Sequence, residues 1–189
     1  MGYAEDKKYE NVDFVIEDIR AFSEYENCVF INCNFYETDI SHIKFMECEF
    51  RDCNLSMAKT NDTAFRDTHF KNCKMLGLRF DSCNQFGLSF TFENCNLSHS
   101  SFFQNKIRKT KFYNCHLEGV DFSQSDLSTA SFEECNLNMA IFDNTIIEKA
   151  DFRTAWGFQI DPENNYIKKA RFSTSGLPGL LTKYNIEVD

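Results

Sequence analysis

Nine cysteines are the residues of this sequence with the clearest capacity for chemistry. Six of them recur in one phrase, which reads FINCNF at 30–35, FRDCNL at 50–55, FKNCKM at 70–75, FENCNL at 92–97, FYNCHL at 112–117 and FEECNL at 132–137. Regularly spaced thiols could bind a metal, form disulfides or support redox chemistry, and they could also fill a core as small apolar side chains. Their position in the repeat decides which of these the sequence favours.

The phrase begins every 20 residues, with a single step of 22 between Phe70 and Phe92. A shorter period of five lies within it. Counting in fives from Tyr25, with a two-residue shift after Gln85, gives a large apolar or aromatic residue at nearly every step as far as Phe152. Helices repeat near 3.6 residues and strands at two, so this sustained period predicts a solenoid.

The residue two positions before each of these large residues is usually small or compact, and the remaining positions are mostly polar. A spacing of two places both residues on one side of an extended segment. Each unit of five is therefore predicted to be a short wall with two inward residues, followed by a turn. All nine cysteines occupy the small inward position: 28, 33, 48, 53, 73, 83, 95, 115 and 135. This favours core packing over a metal site or redox chemistry.

The pattern resembles the pentapeptide-repeat family, whose consensus is A(D/N)LXX. The matching segments are ADF at 150–152, SDL at 125–127, CNL at 95–97 and CNL at 135–137. The resemblance implies an all-β fold, a right-handed quadrilateral β-helix in which four units form one square coil. About seven coils fit the repeat. We expect the β-helix over residues 1–155, with irregularities near 21–22 and 85–90, and a C-terminal cap and dimerisation segment over 156–189.

Four units of five explain the interval of 20, because residues 20 apart then stack on one wall. The first predicted ladder contains Phe30, Phe50, Phe70, Phe92, Phe112, Phe132 and Phe152. The cysteine ladder of the next wall contains Cys33, Cys53, Cys73, Cys95, Cys115 and Cys135. The step of 22 then corresponds to one coil with a two-residue insertion.

No catalytic motif is evident. The sequence has no P-loop, nucleophile elbow, HExxH motif or dinucleotide-binding loop, and its four histidines (42, 69, 99 and 116) are dispersed. We therefore predict that the protein is not an enzyme and has no cofactor or metal. The formal net charge of −9 argues against a nucleic-acid partner, and no apolar run has the length of a membrane span. The acidic N-terminus lacks a signal-peptide pattern, so a cytoplasmic location is expected.

Acidic residues concentrate between 112 and 151, where eight acids stand against Lys149 for a net charge of −7. These acids are Glu118, Asp121, Asp126, Glu133, Glu134, Asp143, Glu148 and Asp151. They are candidates for a surface that binds a basic protein partner. The alternative is that they form only the polar exterior that any solenoid requires.

The C-terminal segment has a different pattern. Leu177, Leu180, Leu181 and Tyr184 fall on one face of a predicted short helix, and Ile186 and Val188 alternate in a final extended stretch. This segment could close the open end of the solenoid or join two chains.

The stretch IDPENNYIKKA…GLPGLLTKYNIEV resembles the C-terminal signature of the topoisomerase-directed pentapeptide proteins, namely the Qnr-type quinolone-resistance proteins and the microcin B17 immunity protein. The resemblance implies a homodimer joined through this end. It also implies a DNA-mimicking acidic surface that binds DNA gyrase or topoisomerase IV and protects it from fluoroquinolones or toxins. Qnr-type proteins carry two projecting loops, whereas this chain has only a short insertion. The alternative function is a structural or interaction scaffold with an unrelated protein partner.

Overall fold

The computed structural model describes residues 2–187, which form a parallel β-solenoid of about seven turns with short 3-10 helices. The predicted solenoid is confirmed. Its strands are β1 Gly2–Glu5, β2 Lys8–Glu10, β3 Phe22–Glu26, β4 Val29–Ile31, β5 Lys44–Met46, β6 Glu49–Arg51, β7 Ala64–Arg66, β8 Thr68–Lys71, β9 Phe90–Glu93, β10 Lys111–Tyr113 and β11 Ser131–Glu133. Short 3-10 helices span Ile19–Ala21, Phe80–Ser82, Thr174–Leu180 and Thr182–Tyr184.

The coil has four faces, which we number in chain order by the inward residue of one coil: face 1 at Phe112, face 2 at Leu117, face 3 at Phe122 and face 4 at Leu127. Face 1 carries a seven-stranded parallel sheet in the order β11-β10-β9-β8-β6-β4-β2. Face 4 begins as a four-stranded sheet, β1-β3-β5-β7. Faces 2 and 3 and the remainder of face 4 are joined by isolated parallel bridges. Pairing therefore continues on every face, although regular strands occur on only two.

The predicted 20-residue register is confirmed on face 1, where Phe112 pairs with Phe92 on one side and with Phe132 on the other. The ring of Phe112 stacks on both neighbours, with centroids 5.2 and 5.0 Å away. It also meets Phe122 of face 3 edge-on at 6.1 Å. Burial of one such ring contributes roughly 2–3 kcal/mol, so the stacked rings are the main source of cohesion along the rod.

The turns between faces depend on a left-handed residue two positions after the inward residue. Asn94 and Asn114 occupy this position on face 1, with φ of 53° and 48°. Their side chains form a ladder, because the Asn114 amide donates to Asn94 Oδ1 at 2.9 Å. Asparagine tolerates the left-handed conformation better than most residues. Asn, Asp or Gly occupies this position in many coils, although other residues such as Glu37 and Thr129 are also found there.

The two-residue insertion lies after Gln85, as the step of 22 predicts, because β8 pairs with β9 through Phe70 and Phe92. Gln85 itself is exposed, and its side-chain oxygen accepts from the amide of buried Asn105 at 3.0 Å. The side chain of Phe90 fills the interior instead and contacts Phe80 and Phe92, with centroids 5.2 and 5.0 Å away. The inserted residues thus replace a missing apolar side chain.

Coil pairing continues beyond the predicted boundary at residue 155. Bridges join Ile146 to Tyr166 and Asp151 to Arg171, each at the same interval of 20. The sequence pattern is hidden here because Gly157 and Pro162 occupy two positions where large apolar residues are expected. Buried Phe158 and Ile160 fill the interior in their place.

The segment after this coil packs across Phe158. The amide of Ile160 donates to the Gly179 carbonyl at 2.9 Å, and a Cβ at Gly179 would lie 2.4 Å from the Phe158 carbonyl oxygen. The predicted helix is present as two 3-10 segments, and Pro178 and two glycines explain why it is not α-helical. Ser173 caps it by accepting from the Gly176 amide.

The six predicted cap residues have different environments. Leu180 and Leu181 are half-buried, and Leu180 packs against the core. Leu177, Tyr184 and Ile186 are exposed. Val188 lies outside the described residues. The cap therefore covers the coil end with one edge and exposes apolar side chains on the other.

Candidate protein-binding surface

The structure does not bring the eight predicted acids together. Asp121 and Asp143 lie on face 3, and Glu118 lies on face 2. The others are divided between face 4 and face 1: Asp126 and Glu148 on the former, Glu133, Glu134 and Asp151 on the latter. Every 20 residues the chain passes through all four faces, so acids that are close in sequence point in different directions.

Asp126 is not part of an exposed acidic surface, because its carboxylate is buried against the corner of face 4. It accepts from the guanidinium of Arg108, with an ion-pair distance of 2.6 Å, and from the amide of Ser128 at 3.0 Å. Burial acts to raise the pKa of this carboxyl, but the hydrogen bonds from Arg108 and Ser128 outweigh it and lower the pKa below its usual value. Asp126 therefore stabilises the corner of face 4 through its contacts with Arg108 and Ser128.

Asp151 is also neutralised locally. Arg153 and Arg171 approach its carboxylate at 2.7 and 3.4 Å. The hydrogen bond from Arg153 is the main cause of the lowered pKa of Asp151. Two of the eight predicted acids thus have partners within the chain.

The 20-residue register instead gathers carboxylates on face 3 and its corner. These are Asp18, Asp39, Asp62, Asp81, Asp121, Asp143, Asp161 and Glu163. The basic residues of this face are Arg20, Lys59 and Arg79. Almost every coil contributes one acid to this surface, which we call the acidic face. Writing the sequence in rows of 20 would have revealed it, whereas counting charge over 112–151 did not.

Part of the acidic face is neutralised by ion pairs. Arg79 binds Asp81 at 2.6 Å, and Lys183 bridges Asp161 and Glu163 at 2.8 and 2.6 Å. Within residues 2–187, Asp121 and Asp143 form no ion pair. Asp18 likewise forms no ion pair within these residues, so the carboxylates available to a partner include Asp121 and Asp143 in the later coils and Asp18 in the first.

Basic residues collect on another edge of the rod. Lys109, Lys149 and Lys169 occupy the same left-handed corner position between faces 4 and 1, at intervals of 40 and 20 residues. The basic run at 106–111 is divided by the turn, because Arg108 is paired with Asp126 while Lys111 lies on face 1. Lysines are therefore frequent at this corner in the later coils, whereas Glu47 and Asp67 occupy the same corner of earlier coils.

Besides exposed apolar residues spread along the coils, such as Met57, Tyr113 and Met139, three sites on the surface are notable. One lies at the first corner of face 2 and includes Val15 and Ile16. Another is Phe86 in the insertion, over which the Arg66 guanidinium lies 5.2 Å from the ring centroid. The third is at the C-terminal end and includes Trp156, Tyr166, Leu177, Tyr184 and Ile186. The sequence indicated the second and third sites, but nothing in its periodicity indicated the first.

The cysteines are all buried free thiols. Cys73 is typical, since its Sγ donates to the Phe50 carbonyl at 3.4 Å across one coil. Burial raises the pKa of the Cys48 thiol to about 12, which keeps it protonated and unreactive. Residues 2–187 contain no cluster of three or more potential metal ligands.

The fold and this surface define a class: a parallel β-solenoid with a period of five, charged outside and closed inside. The chain belongs to the pentapeptide-repeat family. A family model of pentapeptide repeats in eight copies matches residues 48–84, and a model of the pentapeptide repeat region matches residues 88–155. No curated protein sequence matches the chain. Over the part that the structure describes, no helix has both the length and the apolar character of a membrane span.

Among solved structures, the chain is similar to QnrB1, a plasmid-mediated fluoroquinolone resistance protein. A trypsin-treated variant of QnrB1 aligns with a TM-score of 0.63 and 17% identity over 100% of both chains. The full-length form aligns with a TM-score of 0.60 and 16% identity over 98% of this chain and 100% of QnrB1. At this identity the likeness establishes the fold.

Proposed function

We propose that this protein is a non-enzymatic DNA mimic that binds a type II topoisomerase, DNA gyrase or topoisomerase IV, and modulates it or protects it from fluoroquinolones or toxins. The observation that carries the proposal is the acidic face, to which almost every coil of the solenoid contributes a carboxylate. The end-to-end similarity in fold to QnrB1 supports it. The cytoplasmic location expected from the sequence is the compartment in which bacterial topoisomerases act.

The spacing of charge is suited to a surface that binds DNA. Successive coils are separated by ~4.8 Å, the distance between paired strands, so the acidic face repeats a carboxylate at about that interval. Each strand of duplex DNA carries one phosphate per ~3.4 Å. The two intervals differ but are of the same order, so lysines and arginines of a DNA-binding surface could also contact Asp121, Asp143 and their neighbours.

A supercoiling assay tests this proposal directly. Purified protein is titrated into DNA gyrase, and separately into topoisomerase IV, with and without a fluoroquinolone. We expect inhibition of supercoiling or protection from the drug at stoichiometric amounts. No effect on either enzyme at a large excess would refute the topoisomerase proposal.

A pair of matched double variants tests which face of the rod binds the topoisomerase. Asp121→Asn/Asp143→Asn removes two unpaired charges from the acidic face but keeps the acceptor that Asp121 offers to the Ser123 amide. Glu133→Gln/Glu148→Gln removes the same charge from faces 1 and 4. We expect the first variant to lose potency by about fivefold and the control to lose less than about twofold. Equal losses would show that net charge, not the acidic face, governs the effect.

Pairing of two chains through the C-terminal end forms part of the same proposal. The exposed side chains of Trp156, Leu177, Tyr184 and Ile186 offer an apolar surface at that end. Light scattering should give twice the chain mass. Leu177→Asp should restore the monomer, whereas Met139→Asp, which alters an equally apolar side chain on a regular coil, should not.

An interaction scaffold with an unrelated protein partner is the second candidate function. It is favoured by Phe86, whose ring is 78% exposed at the insertion and lies beside Arg66. Aromatic and arginine side chains are the residues that most often dominate protein interfaces. Specific capture of a partner other than a topoisomerase, lost on Phe86→Ala, together with a silent supercoiling assay, would favour this function.

A further inference from the structure

The first corner of face 2 differs from the corresponding corners of later coils. Those corners use a left-handed residue, such as Glu37, Gly77 or Gly119. At the first corner the amides of Ile16 and Glu17 both donate to the Asp13 carbonyl, at 3.1 and 2.8 Å. The chain therefore makes one helical turn instead. Ile16 is left 84% exposed, with exposed Val15 beside it.

A groove lies between this turn and the next coil. It is lined by residues 14–20 and 36–39 and has a volume of about 610 Å³. This volume lies within the usual range for binding pockets. Buried Phe14 and Ile19 contribute to its apolar surface, and exposed Val15, Ile16 and Tyr36 extend that surface into solvent. The groove can accommodate a few apolar side chains of a partner segment.

The polar lining of the groove is acidic. Four acids line it, namely Glu17, Asp18, Glu37 and Asp39, against one base, Arg20, so the net charge is −3. Arg20 is paired with Asp39 at 3.3 Å, which leaves Glu17, Asp18 and Glu37 as uncompensated charges at the groove. An anionic occupant, such as nucleic acid or an acidic lipid surface, would be repelled. A segment with both apolar and cationic side chains matches the apolar surface and the charges.

We propose that the groove formed by residues 14–20 and 36–39 binds a short protein segment that combines apolar side chains with lysine or arginine. Asp18 and Asp39 belong to the acidic face as well as to the groove, so the two surfaces are continuous. Binding in the groove does not require the partner to be a topoisomerase. It would supply a recessed apolar anchor beside the acidic face.

The test uses fluorescence polarisation with labelled 12-residue peptides. The probe alternates pairs of leucines with pairs of lysines; one control replaces its lysines with glutamates and another replaces its leucines with glycines. We expect saturable binding of the probe and at least about tenfold weaker binding of both controls. Equal binding of the glycine control would overturn the proposal, because it would show attraction by charge alone.

The variant Ile16→Asp distinguishes binding in the groove from non-specific electrostatic attraction. This variant adds a negative charge, so non-specific attraction would bind the cationic probe more tightly, whereas loss of the apolar anchor would weaken binding by about tenfold. Met139→Asp is the matched control, since Met139 is 76% exposed at the same corner position of a distant coil. We expect it to bind as the wild type does. Unchanged or tighter binding by Ile16→Asp would overturn the proposal.

A charge-reversed pair tests the acidic lining. Glu17→Lys/Glu37→Lys should lose preference for the lysine probe, whereas Glu133→Lys/Glu148→Lys, with the same net charge, should retain it. Retained preference in the first pair would refute the role of the lining. Native mass is measured in parallel: if Ile16→Asp changes the oligomeric state, the occupant is a second copy of the chain, and the proposal of a heterologous segment fails.

Discussion

The central coils and the C-terminal coil differ in how completely they bury their apolar side chains. Between Phe30 and Phe152 nearly every inward position is filled and buried, and the exposed apolar residues are spread over several coils. In residues 156–187 the period is interrupted by Gly157 and Pro162, and five large apolar side chains are exposed within a short stretch. In a regular repeat, each coil buries its inward apolar side chains against the neighbouring coils. Apolar surface for partners therefore accumulates where the repeat is broken, at this end and at the first corner of face 2.

The largest effect on stability is expected in the phenylalanine ladder of face 1, which runs through both the central coils and the C-terminal coil. Phe112→Ala removes a fully buried ring that stacks on two others, so we expect a loss of about 3–5 kcal/mol in the free energy of unfolding. Phe172→Ala removes the last ring of the same ladder, which is only half-buried, stacks on Phe152 on one side and meets Phe158 at a tilt, and should cost about 1–2 kcal/mol. Denaturant unfolding measures both. Equal costs would mean that the terminal coil is as tightly packed as the centre.

The sequence predicted the interior of this molecule better than its exterior. Phe112 and Cys115 could be assigned to ladders because burial enforces a strict alternation of inward residues, which the period of five and the interval of 20 record. The acidic face was missed because Asp121 and Asp126 are neighbours in sequence but lie on different faces, one available and one buried. Outward positions tolerate almost any polar residue, so their pattern carries little information about which face they share.

Two local features could not be predicted for a different reason. The exposure of Ile16 depends on a helical turn that replaces the usual left-handed corner, and its sequence reads like any apolar segment. The coil formed by residues 156–172 was hidden because Phe158 and Ile160 fill the interior from positions outside the period. In both places tertiary packing determined the backbone, not the local repeat.

The second prediction concerns the ion pair that the buried Asp126 carboxylate forms with the exposed Arg108 in the central coils. Asp126→Ala should cost about 1–3 kcal/mol, because the Ser128 amide loses its buried acceptor and Arg108 its partner. The folded-state pKa of Asp126 is below its unfolded value, so its contribution is present at neutral pH and is lost as the pH falls through the folded-state pKa. Asp126→Asn should therefore flatten the decline in stability between about pH 5 and pH 2. An unchanged pH profile would contradict the assigned role.

The third prediction concerns the cysteine ladder, where a smaller change in the free energy of unfolding is expected. Cys73→Ser should change the free energy of unfolding by about 1 kcal/mol or less, because a serine hydroxyl can donate to the Phe50 carbonyl that the thiol now contacts. The chain already uses this arrangement, since Ser100 Oγ donates to the Met75 carbonyl at 2.8 Å at an equivalent inward position. Thermal unfolding of the variant measures the change. A loss comparable with that of Phe112→Ala would show that the thiols do more than fill space.

The smallest effect is expected at the C-terminal segment, where it should be local. Lys183 joins this segment to the last coil through Asp161 and Glu163, and the hydrogen bonds that it donates lower the pKa of both carboxyls. All three side chains are accessible to water, so Lys183→Ala should leave the melting temperature nearly unchanged. It should nevertheless accelerate amide hydrogen exchange in residues 174–184 but not around Phe112. Arg153→Ala, which removes an exposed cation from a regular coil, is the matched control and should leave exchange in 174–184 unaltered. If Lys183→Ala instead accelerated exchange throughout the rod, the terminal segment would be an integral part of the cooperative core, and the contrast between the two regions would not hold.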